Sequence, residues 1–125
     1  AHDMDLFTSP YVFNVDEARA MVAAGADLLV CHVGLTTAGS IGAAVAMTLD
    51  EAISSVMTMA EAIWSLRADA LVICHGGPFD EPENVAIALK QMPKIAGFYG
   101  ASSAERLPTE RAIRAQVEAF KAIQR

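Results

Sequence analysis

Leu28-Leu29-Val30-Cys31-His32-Val33-Gly34 returns, little altered, as Leu71-Val72-Ile73-Cys74-His75-Gly76-Gly77. Each copy is a short apolar run rich in β-branched residues, and each closes on Cys-His-x-Gly. Between them Ile53, Val56, Met57, Ala60, Ile63 and Trp64 recur at helical spacing. The pattern is strand–helix–strand, with polar groups delivered at the carboxyl end of each strand. Parallel α/β proteins build their sites at those ends.

Working outward, the same grammar continues in both directions. A strand is expected at Pro10–Phe13, followed by a helix that Asn14 caps with Glu17 three residues on, and that Gly25 ends. The Leu28–Val33 strand leads into a Gly/Thr/Ser-rich loop reaching Gly42, after which Thr48 and Glu51 form a second capping box. The Leu71–Cys74 strand is followed by a loop from Gly76 to Glu81 and a helix with Pro82 in its first turn. A fourth strand at Ile95–Tyr99 precedes a last helix expected from Pro108 or Thr109, with Ile113, Val117, Phe120 and Ile123 along one stripe. Four βα units imply a parallel sheet with right-handed crossovers. Two architectures satisfy that: a doubly wound sheet, or part of a barrel. A closed barrel takes about eight strands, so four would leave an inner face and two sheet edges bare. The other half would come from a further segment or from a second copy.

Composition bounds the function. With 125 residues, 54% hydrophobic and 19% charged, the chain is one domain or part of one, and too apolar for disorder. No apolar run reaches the ~18 residues of a membrane span. The first residues carry neither a basic n-region nor a long apolar h-region, so the cytoplasm is the expected compartment. A net charge of −6 with no basic patch argues against nucleic acid as a partner, and no membrane partner is expected. Cys31 and Cys74 lie within apolar runs and read as buried reduced thiols. Met57, Met59 and Trp64 read as packing.

Four segments in order, Thr8–Asn14 (TSPYVFN), Cys31–Ala43 (CHVGLTTAGSIGA), Cys74–Asn84 (CHGGPFDEPEN) and Gly97–Glu110 (GFYGASSAERLPTE), resemble the phosphoenolpyruvate hydrolase-like family of TIM-barrel proteins. The same barrel occurs as a domain in longer proteins related to a plant virus-resistance factor. The resemblance covers nearly the whole chain. It implies a (βα)8 barrel of which this chain is similar to the carboxyl-terminal half, its four last βα units.

His32 and His75 are the leading candidates for chemistry. In a shared register they project on one side of adjacent strands about 4.8 Å apart, close enough to act on one ligand as acid, base or neutral donor. The bland alternative is a pair of structural hydrogen-bonders. A zinc site from Cys31, His32, Cys74 and His75 fails on geometry, because neighbouring strand residues face opposite sides. No cofactor is specified. A divalent metal held by the histidines with carboxylates from elsewhere is the one metal arrangement these residues leave open.

Small residues follow the strands. Gly76, Gly77, Gly100, Ser102 and Ser103 could cradle an anion with backbone amides and hydroxyls. The family register places these two loops after strands seven and eight, where barrels often hold a phosphate; turn glycines are the alternative. Gly34, Thr36, Thr37 and Ser40 form a loop able to close over a substrate. Arg106 could clamp a carboxylate or phosphate, with Glu105 beside it, or the two could be surface charges. Asp80, Glu81 and Glu83 read as charges at a helix start. Two functions are therefore expected to compete. One is a hydrolase or lyase acting on a small anionic substrate of the phosphoenolpyruvate or 2-oxo acid type, with His32, His75 and Arg106 catalytic. The other is a non-catalytic small-anion-binding or assembly module. In either case the exposed inner face should draw in the missing barrel half or a homo-oligomeric partner.

Overall fold

The computed structural model describes residues 1–35 and 47–123. Four parallel strands, β1 (Tyr11–Val12), β2 (Leu28–His32), β3 (Leu71–His75) and β4 (Gly97–Tyr99), lie side by side in chain order. They alternate with helices α1 (Val15–Ala23), α2 (Leu49–Leu66), α3 (Pro82–Gln91) and α4 (Arg106–Lys121). A doubly wound sheet reverses its strand order partway across; this one does not. With right-handed crossovers, an unbroken order sets every connecting helix on one face, and α1 packs on α2 and α2 on α3 accordingly. This is half of a TIM barrel.

Local chemistry explains the element ends. The Asn14 side chain accepts the Glu17 amide at 2.9 Å, and the Glu17 carboxylate accepts the Phe13 amide at 2.9 Å. Thr48 and Glu51 complete the capping box of α2, the Glu51 carboxylate taking the Thr48 amide at 2.8 Å. Gly25 ends α1 at φ +81°, a left-handed conformation glycine adopts without strain. β1 is short because Pro10 has no amide to give, although its carbonyl still accepts Val30 N–H at 3.0 Å. The last helix begins at Arg106, ahead of the Pro108 or Thr109 expected from sequence. Pro108 sits in the first turn, where amides lack an intrahelical acceptor and a missing N–H costs little.

Alternation divides the sheet. Val12, Leu29, Cys31, Val72 and Cys74 are buried against the helices, among Ala18, Ala52, Val56, Met59, Ala60 and Ile63. Met57 and Trp64 pack at the margin of that core, and Trp64 donates its indole N–H to the Ala70 carbonyl at 3.1 Å. The opposite face carries Tyr11, Phe13, Val30, His32, Ile73, His75 and Tyr99, the side a closed barrel would turn inward. Tyr11 is 44% exposed there, Phe13 54% and Leu71 53%. α4 is fastened at its start by buried Leu107 and by ion pairing of Arg111 with Glu81. Its apolar stripe, Ile113, Val117, Phe120 and Ile123, is exposed. Among the described residues no helix is long and apolar enough to cross a membrane.

Candidate functional site

β2 and β3 run in one register, so Cys31 faces Cys74 and, one residue on, His32 faces His75. The thiols turn into the helix-side core, where burial raises Cys31 to about 12 and Cys74 to about 11. They are inert fillers at neutral pH. The imidazoles turn the other way, at the carboxyl rim. Their ring centroids are 4.7 Å apart and meet edge to face.

Tyr11 of β1 and Phe13, one residue past that strand, complete the cluster. The Tyr11 ring stacks on His75 at 5.0 Å and meets His32 edge-on at 5.1 Å, while Phe13 lies 4.7 Å from His32. Sequence reasoning missed both. The signal was present, since Tyr11 and Phe13 flank buried Val12 and must share the opposite face. Burial lowers the pKa of His32 below the ordinary imidazole value, and the charge of a protonated His75 lowers it further.

The main chain fixes the ring positions. Gly34 donates its amide to His32 Nδ1 at 3.0 Å and receives the Gly77 amide on its carbonyl at 2.9 Å. Val33 N–H reaches the His75 carbonyl at 3.1 Å, carrying the strand pairing one step past β2. Gly76, at φ +81°, fits under this bridge because it lacks a Cβ, which would sit 2.2 Å from the Gly34 oxygen. His75 Nδ1 lies 3.1 Å from the Tyr99 carbonyl on β4. Three strand ends therefore converge on the histidine pair.

The remaining candidates are placed as follows. Gly34, Gly76 and Gly77 adjoin the pair, but Gly77 gives its amide to Gly34 rather than holding it open for an anion. Gly100 follows Tyr99 directly. Ser102 and Ser103 are half-buried in the turn before α4, where the Ala104 and Glu105 amides go to the Ala101 carbonyl and Leu107 N–H to that of Ser102. Glu105 precedes α4 and accepts the Thr109 hydroxyl on its carbonyl. Arg106 pairs with Glu110 one turn on, at 3.0 Å. Thr36, Thr37 and Ser40 lie outside the described residues. Glu81 occupies the N-cap position of α3 without a side-chain capping bond and pairs with Arg111, and Asp80 accepts from Asn84 at 3.5 Å. Among the described residues no group of three or more His, Cys, Asp or Glu is poised to hold a metal ion.

At the amino ends of the strands lies a cavity of about 550 Å³, lined by His2, Thr8, Ser9, Pro10 and Met21 among others. Beside it the Asp27 carboxylate accepts the Thr8 hydroxyl at 2.6 Å, the Thr8 amide at 2.7 Å and His2 Nε2 at 2.9 Å. The Thr8 hydroxyl, His2 and the Thr8 amide, in that order, hold the carboxyl well below the usual range. In barrels this end stabilises the fold, and the opposite end carries the chemistry.

Known proteins align with nearly all of the chain. The phosphoenolpyruvate hydrolase-like family matches residues 1–123. The ToMV susceptible protein tm-1(GCR26) of Solanum lycopersicum is 53% identical over 123 residues, which is 98% of this chain. The ToMV resistance protein Tm-1(GCR237) of the same plant shows the same identity and coverage. The chain spans 16% of the length of each of these curated relatives.

Proposed function

This chain belongs to the phosphoenolpyruvate hydrolase-like family, and from that we propose that it supplies the carboxyl-terminal half of a barrel whose rim takes a small anionic substrate. The substrate class is phosphoenolpyruvate or a 2-oxo acid, and the reaction is hydrolysis or lysis. One observation carries the reading: two imidazoles 4.7 Å apart, at the carboxyl ends of adjacent strands, on the face away from the helices. A pair so placed can share one ligand, with one ring moving a proton and the other holding an oxygen. Ser102, Ser103 and Arg106, on the next loop and helix, would meet the anionic end of a substrate long enough to reach them.

The remaining strands, from a further segment or from a second copy, would cover the exposed inner face. Turnover of phosphoenolpyruvate by the full-length protein tests the proposal. His75→Asn should lower turnover about 10²-fold or more. Unchanged turnover on a verified substrate would remove His75 from the mechanism.

A second reading has its own support. Tyr11 and Phe13 pack directly on the two imidazoles, as side chains stack in layers inside a barrel. On this reading the histidines are interior packing in a non-catalytic binding or assembly module. Loss of stability without loss of ligand affinity in His75→Asn would favour it.

A further inference from the structure

His32 and His75 close near-identical motifs, yet they meet opposite main-chain groups. His32 Nδ1 lies 3.0 Å from the Gly34 amide, which can only donate. That nitrogen is therefore an acceptor, and the neutral ring carries its proton on Nε2. His75 Nδ1 lies 3.1 Å from the Tyr99 carbonyl, which can only accept. That nitrogen carries the proton, and Nε2 keeps its lone pair. We infer that the main chain locks the pair into opposite neutral tautomers, making His75 Nε2 the proton acceptor of the rim and His32 Nε2–H a fixed donor to a ligand oxygen.

Protonation sharpens the difference. His75 can take a proton on Nε2 and keep its bond to Tyr99, now charge-assisted. His32 could take one only on Nδ1, setting two N–H groups against each other. Burial of His32 and the neighbouring His75 oppose its charging further. The Gly34 clamp is itself held by Gly77 and closely approached by Gly76, so Gly34 acts as a positioning residue for the His32 ring.

The inference rests on the small-anion reading above in one respect, the ligand class. A donor and an acceptor side by side suit a carbonyl acid that has an acidic hydrogen on the neighbouring carbon. His75 Nε2 would take that hydrogen as a proton. The C–H electron pair would become the carbon–carbon double bond. The carbonyl pair would move onto the oxygen held by His32, leaving an enolate and an imidazolium.

Two measurements on the full-length protein test this. Long-range proton–nitrogen NMR of ring-labelled histidine, above neutral pH, should show the unprotonated nitrogen at Nδ1 in His32 and at Nε2 in His75. The same tautomer in both rings, or the reverse assignment, would overturn the inference. Deuterium exchange into the methyl group of pyruvate should fall about 10²-fold or more in His75→Asn. It should fall less in His32→Gln, whose amide keeps a donor near the Nε2 position; the reverse ranking would overturn the role assignment. If pyruvate fails to bind while opposite tautomers are seen, the tautomer lock stands and the small-anion reading falls.

Discussion

The Tyr99 hydroxyl donates to Ser9 Oγ at 3.3 Å, joining the last strand to the approach of the first. In a flat sheet three strand spacings would part those edges by about 14 Å, beyond the reach of a tyrosine. The bond is therefore made across a concave face, and the curvature is that of barrel staves. The same curvature lets Tyr11 on β1 stack on His75 on β3, over the intervening strand.

Exposed Tyr11, Phe13 and Leu71 on the concave face, and separately the bare stripe of α4, leave apolar surface of the kind that drives association. The 125-residue chain alone is expected to associate. Light scattering should report a mass above the monomer, growing with concentration. A stable, non-associating monomer would contradict this.

Gly76 and Gly34 both have positive φ but differ in surroundings. A Cβ on Gly76 would meet the Gly34 oxygen at 2.2 Å, whereas one on Gly34 would have nothing within 4 Å among the described residues. Gly76→Ala should cost about 2–3 kcal/mol by adding a backbone clash to conformational strain. Gly34→Ala should cost about 1–2 kcal/mol from strain alone. Urea midpoints should rank the two in that order, and the His32 ring resonances should move in Gly76→Ala.

The lowered pKa of His32 gives a signed pH dependence. The unfolded chain binds a proton near the ordinary imidazole value, and the folded chain binds it only at lower pH. The contribution of His32 is therefore complete above about pH 6.5 and is lost as pH falls through the folded value. His32→Asn should flatten the stability profile across that window, as followed by urea unfolding from pH 7.5 to 5.

Asp27 acts at the other end of the sheet and in a more acidic window. Its folded pKa is depressed by Thr8 and His2, so its contribution is present above about pH 4 and fades as the solution becomes more acidic. Asp27→Asn should lower the neutral-pH melting temperature and flatten the acid limb. It should leave ligand binding at the rim intact.

Cys31 and Cys74 should resist thiol reagents at pH 8 in the native protein and react fully in denaturant, because burial holds both thiols protonated. Fast labelling of either thiol under native conditions would place it outside the helix-side core.

Much of this architecture is legible in the sequence. The paired Cys-His-x-Gly endings announce two strands in one register, and their alternation separates thiols from imidazoles. Asn14 with Glu17 and Thr48 with Glu51 mark helix starts that the structure keeps. α4 starts ahead of its sequence expectation, because Pro108 reads as an opening residue but is equally tolerated two positions further in. What sequence could not carry is long-range. The Tyr99 carbonyl reaches His75 from 24 residues away, and Gly34 meets Gly77 only after two strands pair. Those contacts, not the motif, make the two histidines chemically unequal.

The central claim is that His32 and His75 share one small anionic ligand. The chain holds three histidines, and His2 lies at the amino ends of the strands beside Asp27. It serves as an internal control. Titrating the full-length protein with phosphoenolpyruvate or pyruvate while following the histidine ring protons should move His32 and His75 together, with one dissociation constant, and leave His2 still. Saturation with both rim rings unmoved, or with only one of them moved, would contradict the account.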